Sequence, residues 1–197
     1  MAFRIGIIGA GGIANAHAAA AKDSQGQVEI AGVADMNREA AEKFASANGA
    51  TAFESAEALI KSAKDHGIGG IVVCTPPSAR LPIVAAALKA KLPVMTEKPI
   101  AHTLADAKKL ESLAKKHKKV VTAIGYCHRF TPAVLKMKDL IAEGRIGRLE
   151  RFENFFACDL PGHQSKWFSD PKKAGGGAFL DMGSHSMDLF HFMVGPS

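Results

Sequence analysis

The first chemistry that the sequence suggests is the binding of a pyrophosphate. An apolar run from Phe3 to Ile8 breaks into Gly9-x-Gly11-x-x-Ala14 and then into a helical pattern. The two glycines allow a tight turn and a close approach of main chain to ligand, and the alanine lets the helix pack near the strand. A helix that begins at Gly12-Ile13 would point its free N–H groups at the phosphates.

An acidic residue follows the glycines at the spacing of a dinucleotide-binding site. The apolar run Val28 to Ala34 ends at Asp35, within the roughly 20 residues that such folds place between the glycines and an acid. Its carboxylate could accept both ribose hydroxyls of an adenosine and would repel a 2′-phosphate, which favours NAD. Arg38 could pair with that phosphate, so weaker use of NADP is also expected. The alternative is that Asp35 caps a helix that begins near Asn37.

A lysine is placed where it could act on a substrate. Glu97-Lys98-Pro99 follows a predicted strand over 93–96. It should therefore lie at the carboxyl edge of the sheet, where open α/β folds bind their ligands. Lys98 is a candidate active-site cation; the alternative is a solvated lysine paired with Glu97.

A polar stripe crosses the apolar helical segment predicted over 178–193. Asp181, His185 and Asp188 would share one face of that helix. Such a stripe is costly to bury unless it is paired or meets a ligand. The alternative is a core histidine held by Asp181 or Asp188. A metal site is not expected, because the segment offers only two ligands in one turn and no third is identifiable.

Alternating helical and strand periods predict the elements that position these residues. The pattern is typical of an α/β fold, a Rossmann-type doubly wound parallel sheet, followed by the start of an α+β substrate domain. We expect a dinucleotide-binding domain over 1–126 and a partial second domain over 127–197. Strands are predicted over 3–8, 28–34, 51–53, 70–74, 93–96, 120–125 and 149–158. Helices are predicted over 38–47, 56–65, 83–90, 104–116, 132–143 and 178–193, with a polar loop over 161–173.

Composition narrows the class of protein. The 197 residues are 47% hydrophobic and 22% charged, with no apolar stretch near the roughly 20 residues that span a membrane. Because Met1 leads directly into the first strand, we expect no signal peptide and a cytoplasmic protein. The net charge of +6 includes a basic run over 115–119, which suits a helix end better than nucleic acid because few aromatics accompany it. Cys74, Cys127 and Cys158 show no metal-ligand spacing and are expected to be reduced.

The motifs together resemble the Gfo/Idh/MocA oxidoreductases, which include glucose-fructose oxidoreductase and inositol dehydrogenase. The resemblance rests on segments that occur in the family's order along nearly the whole chain: Gly9-x-Gly11-x-x-Ala14, Ala34-Asp35, Thr75-Pro76, Glu97-Lys98-Pro99, Gly125-Tyr126, Arg129-Phe130-x-Pro132, Gly175-Gly176-Gly177 and Asp181-x-Gly183-x-His185-x-x-Asp188. Two features depart from the pattern. Arg80 stands where members commonly have a histidine, and the open sheet of the substrate domain is mostly missing.

The resemblance implies hydride transfer between a secondary alcohol of a sugar, inositol or polyol and nicotinamide. It also implies that Thr75, Pro76, Glu97 and Lys98 help to bind the cofactor and that the Lys98–Pro99 peptide bond is cis. The reference pKa of about 6.5 for histidine, against about 10.4 for lysine, makes His185 the expected general base. Lys98 would stabilise the developing alkoxide, and Asp181 would bind a substrate hydroxyl or tune the histidine.

Two other interpretations stay open at this point. Some relatives keep the fold but act as non-catalytic binding or regulatory modules. The chain could also be a truncated copy that binds dinucleotide, turns over little or nothing by itself, and aggregates through an unpaired strand over 149–158. A homo-oligomer is expected for a full-length protein.

Overall fold

The apolar runs of the sequence form a six-stranded parallel sheet. Its strands are β1 (Phe3–Ile8), β2 (Val28–Ala34), β3 (Thr51–Phe53), β4 (Gly70–Val73), β5 (Val94–Thr96) and β6 (Thr122–Ile124). Their spatial order is β3-β2-β1-β4-β5-β6, and every neighbouring pair is parallel. The order changes direction at β1, so the carboxyl ends of β1 and β4 flank the point where such sheets bind ligands. The predicted doubly wound sheet is confirmed.

The computed structural model describes residues 1–157 and 167–195. The chain divides into two compact units, Met1–Ile124 and Gly125–Ser197, called unit 1 and unit 2 below. Within the described residues, no helix combines the length and apolarity that a membrane span requires.

Helices cover both faces of the sheet in unit 1. They are α1 (Gly12–Asp23), α2 (Arg38–Asn48), α3 (Ala56–Ser62), α4 (Arg80–Lys89) and α5 (Leu104–Lys116). Successive strand residues point to opposite faces. Ile7 therefore packs in one cluster with Ala14 and Phe44, whereas Ile8 packs in a second cluster with Leu59 and Leu88. The sheet is thus buried from both sides, which explains its nearly continuous apolar strands.

Helix starts follow local capping chemistry. The side chains of Asn37, Ser55 and Thr103 accept main-chain N–H groups at the starts of α2, α3 and α5. The bounds predicted for α5 are confirmed. The sequence prediction placed the start of α4 at residue 83, but the helix begins at Arg80, because Pro82 lies in its first turn, where proline is tolerated.

Unit 2 is helical in its described part. It contains α6 (Pro132–Ala142), α7 (Pro171–Ala174), α8 (Gly177–Asp181) and α9 (Gly183–Val194). The single helix predicted over 178–193 is wrong, because the chain breaks at Met182, next to the weak helix former Gly183.

The strand predicted over 149–158 is wrong for residues 149–157, and Cys158 and the first part of the predicted loop over 161–173 lie outside the described residues. No described segment of unit 2 forms a strand that could share a hydrogen-bond ladder with this segment. Side chains hold it to α9 instead. The Phe152 ring meets Phe190 at 5.6 Å between centroids, and Ser186 Oγ donates to Asn154 Oδ1 at 2.6 Å.

Candidate functional site

The glycine turn joins β1 to α1 in unit 1. Gly9 has a φ of +101°, and a Cβ there would lie 2.9 Å from the main-chain carbon of Cys74. Any side chain at this position would therefore be strained and would collide with the main chain just after β4. A Cβ at Gly11 would meet nothing within 4 Å. The turn is thus packed against the sheet at its first glycine and open at its second.

The N-terminus of α1 carries no acceptor of its own. Its N-cap is Gly11, no side chain caps it, and its first turn contains no acidic residue. Gly12 and Ile13 are exposed. By contrast, α2, α3 and α5 each have a capping side chain and an acid in the first turn. The first turn of α1 therefore presents exposed main-chain donors and the positive end of a helix dipole.

Asp35 links the glycine turn to the loop after β2. Its Oδ2 accepts the N–H of Ala10 at 2.7 Å, and its Oδ1 accepts the N–H of Asn37 at 2.8 Å. The alternative that Asp35 caps α2 is wrong, because the Asn37 side chain caps that helix by accepting the N–H of Ala40. A carboxylate oxygen has a second lone pair, so Asp35 can still accept a hydroxyl.

Arg38 is exposed on the first turn of α2. Its Nε donates to Glu42 Oε1 at 2.6 Å, one turn along the same helix. Both side chains are more than half exposed. An anion near this helix would therefore compete with Glu42 for the guanidinium.

The other residues of unit 1 that are predicted to bind the cofactor follow the carboxyl ends of β4 and β5. Thr75 and Pro76 follow β4, and Glu97 and Lys98 follow β5, where they are partly or fully buried. The predicted cis peptide bond before Pro99 is confirmed. Glu97 Oε1 lies 2.9 Å from Nε2 of His17, and its Oε2 accepts the N–H of Lys98 at 3.2 Å. Glu97 therefore ties α1 to the loop that carries Lys98.

Two further side chains lie at this edge of the sheet, the Cys74 thiol and the Arg80 guanidinium. Burial raises the pKa of the Cys74 thiol to about 12; the charge of Glu97 adds to the rise and that of Arg80 opposes it. Arg80 itself is only 2% exposed. Its guanidinium donates to main-chain carbonyls in the loop after β4 and in the loop after β5, including the carbonyl of Thr75 at 2.9 Å.

In unit 2 the buried His185 lies among aromatic rings. Its ring centroid is 4.4 Å from that of His128 and 5.8 Å from that of Tyr126, both edge to face, and Phe156 lies at 6.2 Å. Asp181 is partly buried at the end of α8, so it does not share one continuous helix with His185, contrary to the prediction.

Asp188 forms an ion pair with Arg129. Both of its carboxylate oxygens accept hydrogen bonds from the Arg129 guanidinium, the one to Nε at 2.6 Å. The Asp188 side chain is 6% exposed, and its hydrogen bond raises the pKa of Arg129 above the ordinary value. This ion pair fixes α9 against the turn before α6, and α9 carries His185.

Several of these residues have no role in the sequence-based prediction. His17 and Arg80 are polar side chains in alanine-rich and apolar stretches, a signal that could have identified both. Tyr126 belongs to the Gly125-Tyr126 motif and His128 lies between that motif and Arg129-Phe130-x-Pro132, and the sequence-based prediction assigns a function to neither. Among residues 1–157 and 167–195, no three His, Cys, Asp or Glu side chains come together as a metal ion would need.

Comparison with known proteins gives two family matches. Residues 3–125 match the model for the oxidoreductase family with an NAD-binding Rossmann fold, GFO_IDH_MocA. Residues 134–197 match the GFO/IDH/MocA C-terminal domain.

Individual relatives agree with these matches. The rhizopine catabolism protein MocA of Rhizobium meliloti is 33% identical over 98% of this chain and 57% of its own length. The glucose-6-phosphate 3-dehydrogenase of Bacillus subtilis is 30% identical over 96% of this chain and 53% of its own. A solved levoglucosan dehydrogenase in complex with NADH and levoglucosan is 26% identical, with a TM-score of 0.86 over 99% of this chain and 54% of its own. The chain thus spans about half the length of the relatives it matches.

Proposed function

The chain belongs to the Gfo/Idh/MocA family of NAD-binding oxidoreductases, and we propose that it transfers a hydride between a secondary alcohol of a sugar or polyol and nicotinamide. The observation that carries the proposal is the hydrogen bond from Ala10 to Asp35, which joins the acid proposed to bind ribose to the glycine turn. The substrate class is supported by relatives named as dehydrogenases of glucose 6-phosphate and levoglucosan.

The cofactor site is proposed to lie along the carboxyl edge of the sheet in unit 1. The turn at Gly9 and Gly11 and the first N–H groups of α1, at Gly12 and Ile13, would hold the pyrophosphate. The open space beside Gly11 and the lack of a cap on α1 fit such an anion. The proposed nicotinamide end lies toward Thr75, Pro76, Glu97 and Lys98.

NAD is the proposed cofactor, with weaker use of NADP. The carboxylate of Asp35 would repel a 2′-phosphate. Arg38 could attract that phosphate, but its guanidinium is already paired with Glu42. The negative charge of Asp35 and the pairing of Arg38 with Glu42 therefore both favour NAD.

The proposed proton transfer assigns separate roles to His185 and Lys98. A bound nicotinamide ring would accept or supply the hydride. His185 is proposed to take the hydroxyl proton, because imidazole can accept a proton near neutral pH. Lys98 is proposed to stabilise the negative charge that develops on the alcohol oxygen. Asp181 would bind a neighbouring substrate hydroxyl or orient the histidine.

The experiment follows nicotinamide absorbance with a panel of sugars and polyols and measures NADH binding by fluorescence. Lys98→Met and His185→Ala should each lose at least about a hundredfold in kcat while NADH still binds. The matched controls are Lys108→Met, on the exposed side of α5, and His191→Ala, on the exposed side of α9. NADH binding without turnover by the wild type would favour either a binding module or a chain that is inactive by itself, and unchanged turnover in the two variants would refute the assigned roles.

A further inference from the structure

A buried arginine braces the loop that carries Lys98. Arg80 is the first residue of α4 and is 2% exposed, although arginine is almost never fully buried unless it is paired. Its Nε donates to the carbonyl of Thr75 at 2.9 Å, and one terminal nitrogen donates to the carbonyl of Lys98 at 3.3 Å. The other terminal nitrogen donates to the carbonyls of Glu97 and Pro99.

These contacts join two loops that are separate in sequence. Thr75 belongs to the loop after β4, whereas Glu97, Lys98 and Pro99 form the loop after β5. A guanidinium is planar and offers five N–H donors in a fixed fork, so it can satisfy carbonyls that converge from both loops at once. A lysine ammonium has three donors on a single atom and cannot span the same set of acceptors.

The bracing acts on the main chain of three consecutive residues. Their carbonyls all contact Arg80, and Lys98 lies at the centre of the three. Glu97 also ties the same loop to α1 through His17. The direction in which Lys98 leaves the main chain is therefore set by Arg80 and by the Glu97 contacts.

We infer that Arg80 is a positioning residue that fixes the loop of Glu97, Lys98 and Pro99 for hydride transfer, acting through main-chain carbonyls without touching substrate. The inference rests on the proposed function for its kinetic consequence. Its structural consequence can be measured without turnover. A misplacement of about 1 Å at a reacting group can cost roughly a hundredfold in rate.

The kinetic test compares Arg80→Met, Arg80→Lys and the control Lys89→Met, which removes an exposed cation from the other end of α4. Arg80→Met should lower kcat about a hundredfold, while KM and the Kd for NADH change less than about threefold. Arg80→Lys should recover only part of kcat, and Lys89→Met should match the wild type. A kcat within twofold of the wild type in Arg80→Met would overturn the inference.

The structural test is hydrogen exchange read by mass spectrometry on the same variants. In Arg80→Met and Arg80→Lys, the peptide over 94–103 should exchange at least about tenfold faster, while peptides over 3–8 and 28–34 keep their wild-type rates. Faster exchange throughout unit 1, or failure of both variants to fold, would show a general structural role and overturn the inference. Unchanged exchange over 94–103 would do the same. If the wild type neither binds NADH nor turns over, the proposed function fails, yet the exchange result still decides whether Arg80 braces the loop.

Discussion

The carboxylate of Asp35 accepts the main-chain N–H of Ala10 at 2.7 Å, across 25 residues of sequence. Ala10 lies between the two glycines of the β1–α1 turn, so the acid that would bind a ribose also holds the turn that would bind phosphate. Its other oxygen accepts the N–H of Asn37. One carboxylate therefore joins the ribose and pyrophosphate parts of the proposed dinucleotide site.

Removing the charge of Asp35 should weaken the binding of NADH and reduce its preference over NADPH. In Asp35→Asn the side chain has one acceptor oxygen and cannot satisfy both Ala10 and Asn37. The Kd for NADH should rise about tenfold, and the preference over NADPH should shrink because the repulsion of a 2′-phosphate is lost. Fluorescence titration with both cofactors measures this, with Asp65→Asn as the exposed control. An unchanged preference would contradict it.

The two glycines of the turn should respond differently to alanine. Gly9→Ala places a residue with a Cβ at a positive backbone φ and brings that Cβ against the main chain of Cys74. The substitution should cost about 2 kcal/mol or more of unfolding free energy. Gly11 has an ordinary extended backbone, and a Cβ there would lie in open space. The unfolding free energy of Gly11→Ala should therefore stay within about 0.5 kcal/mol of the wild-type value. Its Cβ would instead obstruct the approach of a phosphate, and the Kd for NADH should rise at least about tenfold. Chemical denaturation and NADH titration separate the two effects; equal behaviour of the variants would count against the proposed site.

Freeing Arg38 should improve NADPH binding. Glu42→Gln removes the partner of its guanidinium, and the Kd for NADPH should fall about two- to fivefold, because exposed pairs contribute at most about 1 kcal/mol. The Kd for NADH should hardly change. Glu39→Gln makes the same charge change on α2 without touching Arg38, so it isolates the pairing from the general field. The gain should fade in high salt; equal effects of the two variants would leave Arg38 without a role.

Breaking the Arg129–Asp188 ion pair should cost more unfolding free energy when the arginine is removed than when the aspartate is neutralised. Arg129→Met leaves a buried carboxylate without its cation and should cost roughly 2 to 4 kcal/mol. Asp188→Asn leaves an arginine that is 38% exposed and can be solvated, so it should cost less. Exchange protection of α9 measures both. Lys138→Met is the control, since Lys138, like Arg129, lies over the Phe192 ring but does not bind Asp188.

The Cys74 thiol should make the fold sensitive to alkali. Its pKa is raised to about 12 from an ordinary value of 9.0, so between these values the unfolded chain loses a proton that the folded chain keeps. The thiol therefore adds no pH dependence to the stability below about pH 9 and lowers the stability as the pH rises toward 12. Denaturation curves of Cys74→Ala should show a weaker alkaline decline, whereas Cys127→Ala, which removes an exposed thiol, should not. An identical decline in both would refute the assignment.

The sequence by itself determined the elements whose signals are local. The predicted bounds of β1, β2, β3 and α5 match those of the structure, and the glycine turn follows from its motif. These features depend on residues within a turn or two of each other, so distant partners do not determine them.

Only the tertiary structure decided which polar side chains meet. His17 and Glu97 are 80 residues apart, Arg129 and Asp188 are 59 apart, and Arg80 reaches carbonyls 17 to 19 residues away. The segment over 149–157 has strand propensity but no strand beside it in the described part of unit 2, so it packs by side chains instead. Ion pairs and strands need a second group at a particular place, and that place is set by the fold rather than by neighbouring residues.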